Sequence, residues 1–370
     1  MPVPLLDLRA QHATIREDVV RAMMDVVDSQ KFILGEPVER LERAVAELSH
    51  TAHAIGCANG TDALLIAMRA LDIGRGDEVI TTPFTFFATA GTIHNVGATP
   101  VFVDIDPETL NIDPAAVRAA ITPKTRAVIP VDLFGQLAAL EEVAAVAGSI
   151  PVIEDAAQSI GARRRIGGDW KMAGEHATIG TFSFFPSKNL GGYGDGGMMV
   201  TQDDALATRL RRIRVHGGAR QYYHDEVGYN SRLDALQAAV LLAKLPHLEK
   251  WSARRRENAA YYNRALSGVD DVRPVAVDPN NESIYNQYTI RTGRRDALQK
   301  HLTARGIGTS IYYPLPLHLQ PCFAYLGYKT GSIPESERAA AEVLSLPVFP
   351  ELTQTQLDEV VDGVRSFFGA

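Results

Sequence analysis

The stretch RAVIPVDLFGQLAALEEVAAVAGSIPVIEDA, residues 126–156, reads as strand, helix and strand in a single pass. RAVIPV and PVIEDA are short apolar runs, LAALEEVAAVA repeats its apolar residues at helical spacing, and VAGSIPV is a helix-stop turn. Two strands joined by a crossover helix form a βαβ unit, and such units build parallel sheets. The same alternation extends outward from about Val38 to Gln202. EVITT (78–82), TPVFVDID (99–106), ATIGTFSFF (177–185) and GGMMVTQ (196–202) read as further strands. VERLERAVAEL (38–48), ALLIAMRAL (63–71) and DPAAVRAAI (113–121) read as helices, the last with Asp113 as N-cap and Pro114 at its first position. Strands that are apolar on both faces belong inside a sheet covered by helices, so the fold class is α/β.

Beyond Asn230 the pattern turns mostly helical. Leu233, Leu236, Ala239 and Val240 repeat at helical spacing and a second helix starts near Pro246, as in an interdomain connector. From about Asp270 a strand SIYNQYTIRT (283–292), a helix RRDALQKHLTARG (294–306), a strand GTSIYY (308–313) and two closing helices make a smaller α/β domain. The expected division is a large domain with the N-terminal segment over 1–245, then a connector helix and small C-terminal domain over 246–370. A chain of 370 residues exceeds what one core serves, which agrees with two domains.

The bulk composition narrows the function. A hydrophobic share of 46% with 22% charged residues is that of a folded soluble protein. The net charge of −7 argues against a binder of phosphate backbones, so nucleic acid is not an expected partner. MPVPLLDLRAQHATIRED lacks the basic and apolar regions of a secretory signal, and no apolar run reaches membrane-spanning length. Cys57 and Cys322 form no metal-like or redox spacing and read as two small buried or half-buried thiols, which fits the cytoplasm. The ten histidines show no HExxH or clustered carboxylate pattern, so no metal site is expected.

Three features carry chemistry. Seven of the eight lysines lie in polar settings read as solvated, whereas Lys188 leaves the apolar TFSFFPS and enters the glycine-rich NLGGYGDGG. An amine held there is partly desolvated, which favours the neutral form that attacks aldehydes, although a lysine beside glycines can also be structural. VIEDAAQ places Glu154 and Asp155 at the carboxyl end of a buried strand, where open α/β sheets bind ligands. Asp155 is the sharper candidate, for pairing with a cation such as a protonated pyridine nitrogen, and its alternative is a helix N-cap. Asn59, Gly60, Thr61 and Asp62 open an amphipathic helix, which makes either a phosphate site or an ordinary cap. Gly192, Gly194 and Gly197 match the dinucleotide GxGxxG, but a strand rather than a helix follows them.

Together these residues resemble the DegT/DnrJ/EryC1/StrS aminotransferases, pyridoxal-phosphate enzymes of fold type I that act mainly on nucleotide-linked keto-sugars. The resemblance runs nearly the whole chain, through LLDLRAQ (5–11), KFILGEPVERLE (31–42), NGTDAL (59–64), GDEVITTPFTFFATA (76–90), PVFVDIDPETLNID (100–113), IPVDLFGQ (129–136), VIEDAAQSIGA (152–162), FSFFPSKNLGGYGDGG (182–197), GYNSRLDALQAA (228–239) and YYPLPLHLQP (312–321). It implies an aspartate-aminotransferase-like large domain that binds the cofactor on a mostly parallel central sheet. By resemblance, Lys188 forms the Schiff base with pyridoxal phosphate, Asp155 pairs with its pyridine nitrogen, and Gln158 reaches its phenolic oxygen. Phe86 stacks on the ring where relatives often carry tyrosine or tryptophan. Gly60, Thr61 and Ser183 cradle the phosphate, and Asn230 reaches the phosphate of a neighbouring subunit, which implies a homodimer with shared active sites.

The resemblance also implies L-glutamate as donor, with 2-oxoglutarate released, and a nucleotide-linked keto-sugar as acceptor. Relatives that dehydrate sugars carry histidine at the position of Lys188, so lysine here points to amino transfer. By family position Tyr312, Tyr313, His318 and His216, within HGGARQYY (216–223), shape the sugar pocket, while aromatic residues there can equally be packing. The motifs are closer to the branch that aminates C3 than to the C4 branch, the alternative reading. Tyr312 stands where relatives acting on UDP-linked uronic acids can carry histidine, which leaves UDP- and dTDP-linked sugars both open. A cofactor-binding regulator without catalysis is the alternative of another class.

Overall fold

The computed structural model describes residues 2–220 and 222–369. Gln221, inside the stretch expected to shape the sugar pocket, lies outside the described residues. Seven strands build the central sheet: β1 His53–Cys57, β2 Glu78–Thr81, β3 Thr99–Phe102, β4 Thr125–Ile129, β5 Ile153–Asp155, β6 Ile179–Ser183 and β7 Gly197–Thr201. Hydrogen-bonded ladders give the orders β1-β7-β6-β5 and β3-β2-β4. Parallel bridges Val128↔Val152 and Val131↔Asp155 join β4 to β5, so the seven form one sheet. Only β7 runs against its neighbours, pairing antiparallel with β1 and β6.

The parallel frame expected from residues 126–156 is therefore observed, with helices at 60–70, 114–120 and 140–147 where the periodicity placed them. Asp113 accepts the Ala115 N–H as N-cap, with Pro114 at the first helical position. Strands are buried on both faces, β7 along its whole length, as helices on either side of the sheet require. The consequence for function is directional. β1, β2, β4, β5 and β6 all end on the same edge, and the segments after them carry Asn59, Phe86, Val131, Gln158 and Lys188 to one place.

A second core holds Tyr262, Tyr288, Leu298, Leu302, Val360 and Val364, around an antiparallel sheet of 273–274, 288–291 and 343–346. Val3 belongs to this core: its N–H donates to the Gly306 carbonyl and its own carbonyl accepts from Gly308. The amino terminus thus packs with the small domain, and a division at 245 alone does not describe it. Helix Leu248–Ala265 crosses between the two cores, with Arg255 buried and donating to the carbonyls of Tyr285 and Asn286.

Three local expectations are corrected. GTSIYY is not a strand: a single bridge, Ser310↔Ser345, holds it, and the chain then turns Tyr312 and Tyr313 toward the large domain. SIYNQYTIRT is a strand only over Tyr288–Arg291, because Ile284 donates instead to the Gly135 carbonyl and 284–287 fastens the small domain to the large one. Lys188 is also not alone in a desolvated setting. Lys244, read as solvated, is buried, donates to the Gly191 carbonyl at 2.6 Å, and lies over the ring of Tyr193. Of the two cysteines, Cys57 is buried and Cys322 is exposed.

Candidate active site

At the carboxyl edge of the sheet lies a cavity of about 600 Å³, within the range occupied by small-molecule sites. Lys188, Asp155, Gly60, Thr61, Phe86, Gln158, Ser183, Tyr312 and Tyr313 all line it. Residues separated by more than 250 positions in sequence meet there because five strand ends and one small-domain turn converge.

Lys188 follows β6 in a turn closed by its own N–H donating to the Phe185 carbonyl. Burial pushes its amine down from the ordinary lysine range to about 8, against the opposing pull of Asp155. Among the described residues its ammonium has no hydrogen-bond acceptor. Asp155 ends β5 and is 5% exposed. Its Oδ2 accepts from the Thr89 hydroxyl at 2.8 Å and its Oδ1 from the Ala157 N–H at 3.3 Å. Burial raises its pKa more than these donors and Lys188 lower it, so the carboxylate is short of a cationic partner.

The helix Gly60–Ala70 opens with Asn59, not Thr61 or Asp62, as its cap: the Asn59 side chain accepts the Asp62 N–H and its carbonyl the Ala63 N–H. The N–H groups of Gly60 and Thr61 keep no acceptor among the described residues, which is the anion-binding arrangement of a helix start. A Cβ on Gly60 would lie 2.7 Å from that of Ser183, so only glycine lets β6 approach so closely. Phe86 caps the next helix, Phe87–Asn95, and is 58% exposed beside the cavity, 6.4 Å from the Tyr313 ring.

Gln158 is held from two sides: its Oε1 accepts the Phe134 N–H at 2.8 Å and its Nε2 donates to the Tyr313 hydroxyl at 3.1 Å. This bond reaches across the domains. Burial pushes the Tyr313 phenol up, so the hydroxyl keeps its proton at neutral pH.

Three candidates are not brought to this cavity. His318 is 1% exposed, with Nε2 bonded to the Glu337 carboxylate at 3.0 Å, and serves the packing around Leu317, Phe323 and Tyr328. Its Nε2 is committed to Glu337 and its Nδ1 is buried without a partner among the described residues, so neither ring nitrogen is open to a substrate in the cavity. Asn230 and His216 are exposed and lie outside the cavity of their own chain. Conversely, the sequence reading passed over Thr89, which orients Asp155. Its signal is the spacing Phe86-x-x-Thr89, one helical turn that puts a hydroxyl beside the ring position.

The residues fit pyridoxal phosphate. An unpaired anion, a desolvated lysine, a bare helix start and an exposed aromatic face match its pyridine nitrogen, aldehyde, phosphate and ring.

Comparison with known proteins agrees. The model of the DegT/DnrJ/EryC1/StrS aminotransferase family matches residues 13–365. The chain is 54% identical to a pleiotropic regulatory protein of Geobacillus stearothermophilus, covering 100% of this chain and 99% of that one. It is 46% identical to a UDP-N-acetyl-3-dehydro-α-D-glucosamine 3-aminotransferase of Acidithiobacillus ferrooxidans, covering 98% and 97%. Its fold superimposes on the crystal structure of S. venezuelae DesV in complex with a ketimine intermediate with a TM-score of 0.97 at 42% identity, covering 100% of this chain and 99% of that one. The chain belongs to the DegT/DnrJ/EryC1/StrS family and is a pyridoxal-phosphate-dependent aminotransferase of fold type I.

Proposed function

We propose, with that membership as premise, that the enzyme moves the amino group of L-glutamate to the C3 ketone of a nucleotide-diphosphate sugar, with Lys188 and Asp155 as its catalytic residues. The observation that carries this reading is the pairing of one desolvated lysine and one carboxylate without a bound cation in a single cavity. Pyridoxal phosphate supplies an electron sink for the carbanion that amino transfer passes through. Asp155 holds the pyridine nitrogen in its protonated form. Gly60 and Thr61 N–H groups and the Ser183 hydroxyl hold the phosphate, and Phe86 covers the ring. With the cofactor bound, the Lys188 Nζ would serve as a neutral base within the cavity, able to take a proton from the substrate carbon and give it back.

Position C3 is supported by the name of the Acidithiobacillus relative, which acts on a UDP-linked 3-dehydro sugar. Tyr312 and Tyr313 offer hydroxyls to the sugar at the cavity wall. A site that hydrogen-bonds its substrate rejects an analogue lacking the matching group far better than an apolar site rejects an added one, so regiochemistry should be sharper than nucleotide choice. In the reverse direction, UDP- and dTDP-linked 3-amino sugars are expected to convert the absorbance of the loaded enzyme to that of the aminated cofactor, and 2-oxoglutarate to restore it. Response to 4-amino sugars alone would overturn C3. A regulator that only bound the cofactor, as the name of the Geobacillus relative raises, would respond to neither.

Asn230 and His216, exposed and outside their own cavity, are assigned to the site of a second copy. Tyr222, Tyr223 and Val227, in the segment between His216 and Asn230, are large apolar side chains left exposed, in keeping with a covered interface. If sites are shared, mixing Lys188→Ala with Asn230→Ala chains creates dimers with one intact site. Full exchange is expected to recover about a quarter of wild-type activity, as two-fold symmetry dictates. No recovery after demonstrated exchange would show that each chain completes its own site. No helix among the described residues is long and apolar enough to cross a membrane, and we place the enzyme in the cytoplasm.

A further inference from the structure

Behind Asp155, on the other face of β5, two more carboxyl groups are sealed from solvent. Asp132 and Glu154 are each 0% exposed and lie in hydrogen-bond contact with one another. Two carboxylates this close and this dry cannot both be ionised, so one proton must lie between them. The donors around them decide which group keeps it. Asp132 is met by the Ala138 N–H at 2.9 Å on Oδ1 and by the Ser159 hydroxyl at 2.7 Å on Oδ2, the surroundings of a carboxylate. Glu154 has only the Gly174 N–H, at 3.0 Å on Oε1, and its Oε2 is buried with no donor at all. A proton on that orphan oxygen turns it into a donor and satisfies both groups.

The pair also stands at a junction. The Asp132 N–H donates to the Asp155 carbonyl at 3.0 Å, and Asp155 in turn donates to Pro130. Ser159 follows Gln158, whose amide is bonded to Phe134, two residues beyond Asp132. Asp132 therefore fastens the turn 132–138 to the turn 156–159, which directly follows Asp155 and carries Gln158 to the cavity.

We propose that Glu154 remains protonated and donates a hydrogen bond to Asp132, and that this carboxylic acid–carboxylate pair is the positioning element that holds Asp155 and Gln158 in place for the cofactor. The proposal rests on the assignment of Asp155 and Gln158 to the cofactor. Burial and the charge of Asp132 both push the Glu154 carboxyl well up, in agreement with the donor count, and the remaining charge near the pair is that of Asp155.

Glu154→Gln keeps a neutral group with one acceptor and a donor for Asp132, whereas Glu154→Ala leaves Asp132 a buried carboxylate without its proton partner. Cofactor affinity and the rate of the glutamate half-reaction are expected to stay within about twofold of wild type in Glu154→Gln, while Glu154→Ala loses roughly tenfold or more in cofactor affinity. Infrared spectroscopy on the holoenzyme at neutral pH reads the proton itself: a carbonyl band of a protonated carboxyl, shifted in D₂O, is expected in wild type and absent from Glu154→Gln. Persistence of that band in Glu154→Gln would overturn the proposal. So would a Glu154→Gln enzyme that loses cofactor affinity as far as Glu154→Ala. Should Glu154→Ala not fold, the infrared comparison and the Glu154→Gln affinity still decide. Failure of the functional reading shows elsewhere, as turnover by Asp155→Ala, and does not move the band.

Discussion

Lys188→Ala is expected to lower the rate of amino transfer by at least about four orders of magnitude, because covalent attachment and proton transfer are lost together. The visible absorbance of the lysine-bound cofactor should disappear with it. The fold should survive, and the sign of the pKa shift says why. Burial holds the folded amine near 8, below its unfolded value, so the unfolded chain binds more protons and stability rises with pH between about 8 and the ordinary lysine range. At neutral pH the desolvated ammonium therefore opposes folding, and the apo form of Lys188→Ala should melt no lower than wild-type apoenzyme. The same shift sets a pH profile. Capture of pyridoxal phosphate by the wild-type apoenzyme needs the neutral amine, so its rate should climb below about pH 8 and level off above it. A capture rate independent of pH from 6 to 9, at matched cofactor ionisation, would remove Lys188 from that step.

Asp155→Ala is expected to lower turnover by about two to four orders of magnitude, the range commanded by a charge aimed at a reacting centre. Two roles compete for this residue. As an N-cap, Asp155 would contribute only its bond from the Ala157 N–H, and alanine would cost about 1 kcal/mol of stability with turnover intact. As the partner of a cation, it is a poorly compensated charge in the apoenzyme. Its raised folded pKa means that stability falls as pH rises above the usual aspartate range, so removing it should not destabilise apoenzyme at neutral pH. Steady-state turnover and apoenzyme melting, measured together, separate the two.

Much of this site was legible in the sequence because each piece sits at a strand end, where an apolar run stops and polar or glycine residues begin. Glu154 and Asp155 close an apolar run, and Lys188 opens a glycine-rich one, so the parallel frame alone brings them to one edge. What the sequence concealed depends on partners distant along the chain. Lys244 in LLAKLPHLEK has the polar neighbours of a solvated lysine, yet its ammonium is buried against the Gly191 carbonyl, 53 residues earlier. His318 in PLPLHLQP looks like a pocket residue until Glu337 is found beside it. GTSIYY has the β-branched and aromatic content of a strand. Its backbone leaves the sheet after Ser310 because Tyr313 is bound to Gln158 of the other domain. Val3 likewise joins a core more than 250 residues away through two backbone bonds to 306 and 308, which no local pattern announces.

Two lysines, Lys188 half-buried and Lys244 buried, have amines pushed down to about 8, which makes the attachment point a question that chemistry can answer directly. Lys188 faces the cavity with Asp155, Gly60 and Thr61, whereas Lys244 is committed to the Gly191 carbonyl and lies outside the cavity. Borohydride reduction of the loaded enzyme, followed by proteolysis and mass spectrometry, fixes the cofactor to whichever lysine held it. A single modified peptide containing Lys188 is the predicted result, and modification of Lys244, or of no lysine at all, would contradict it.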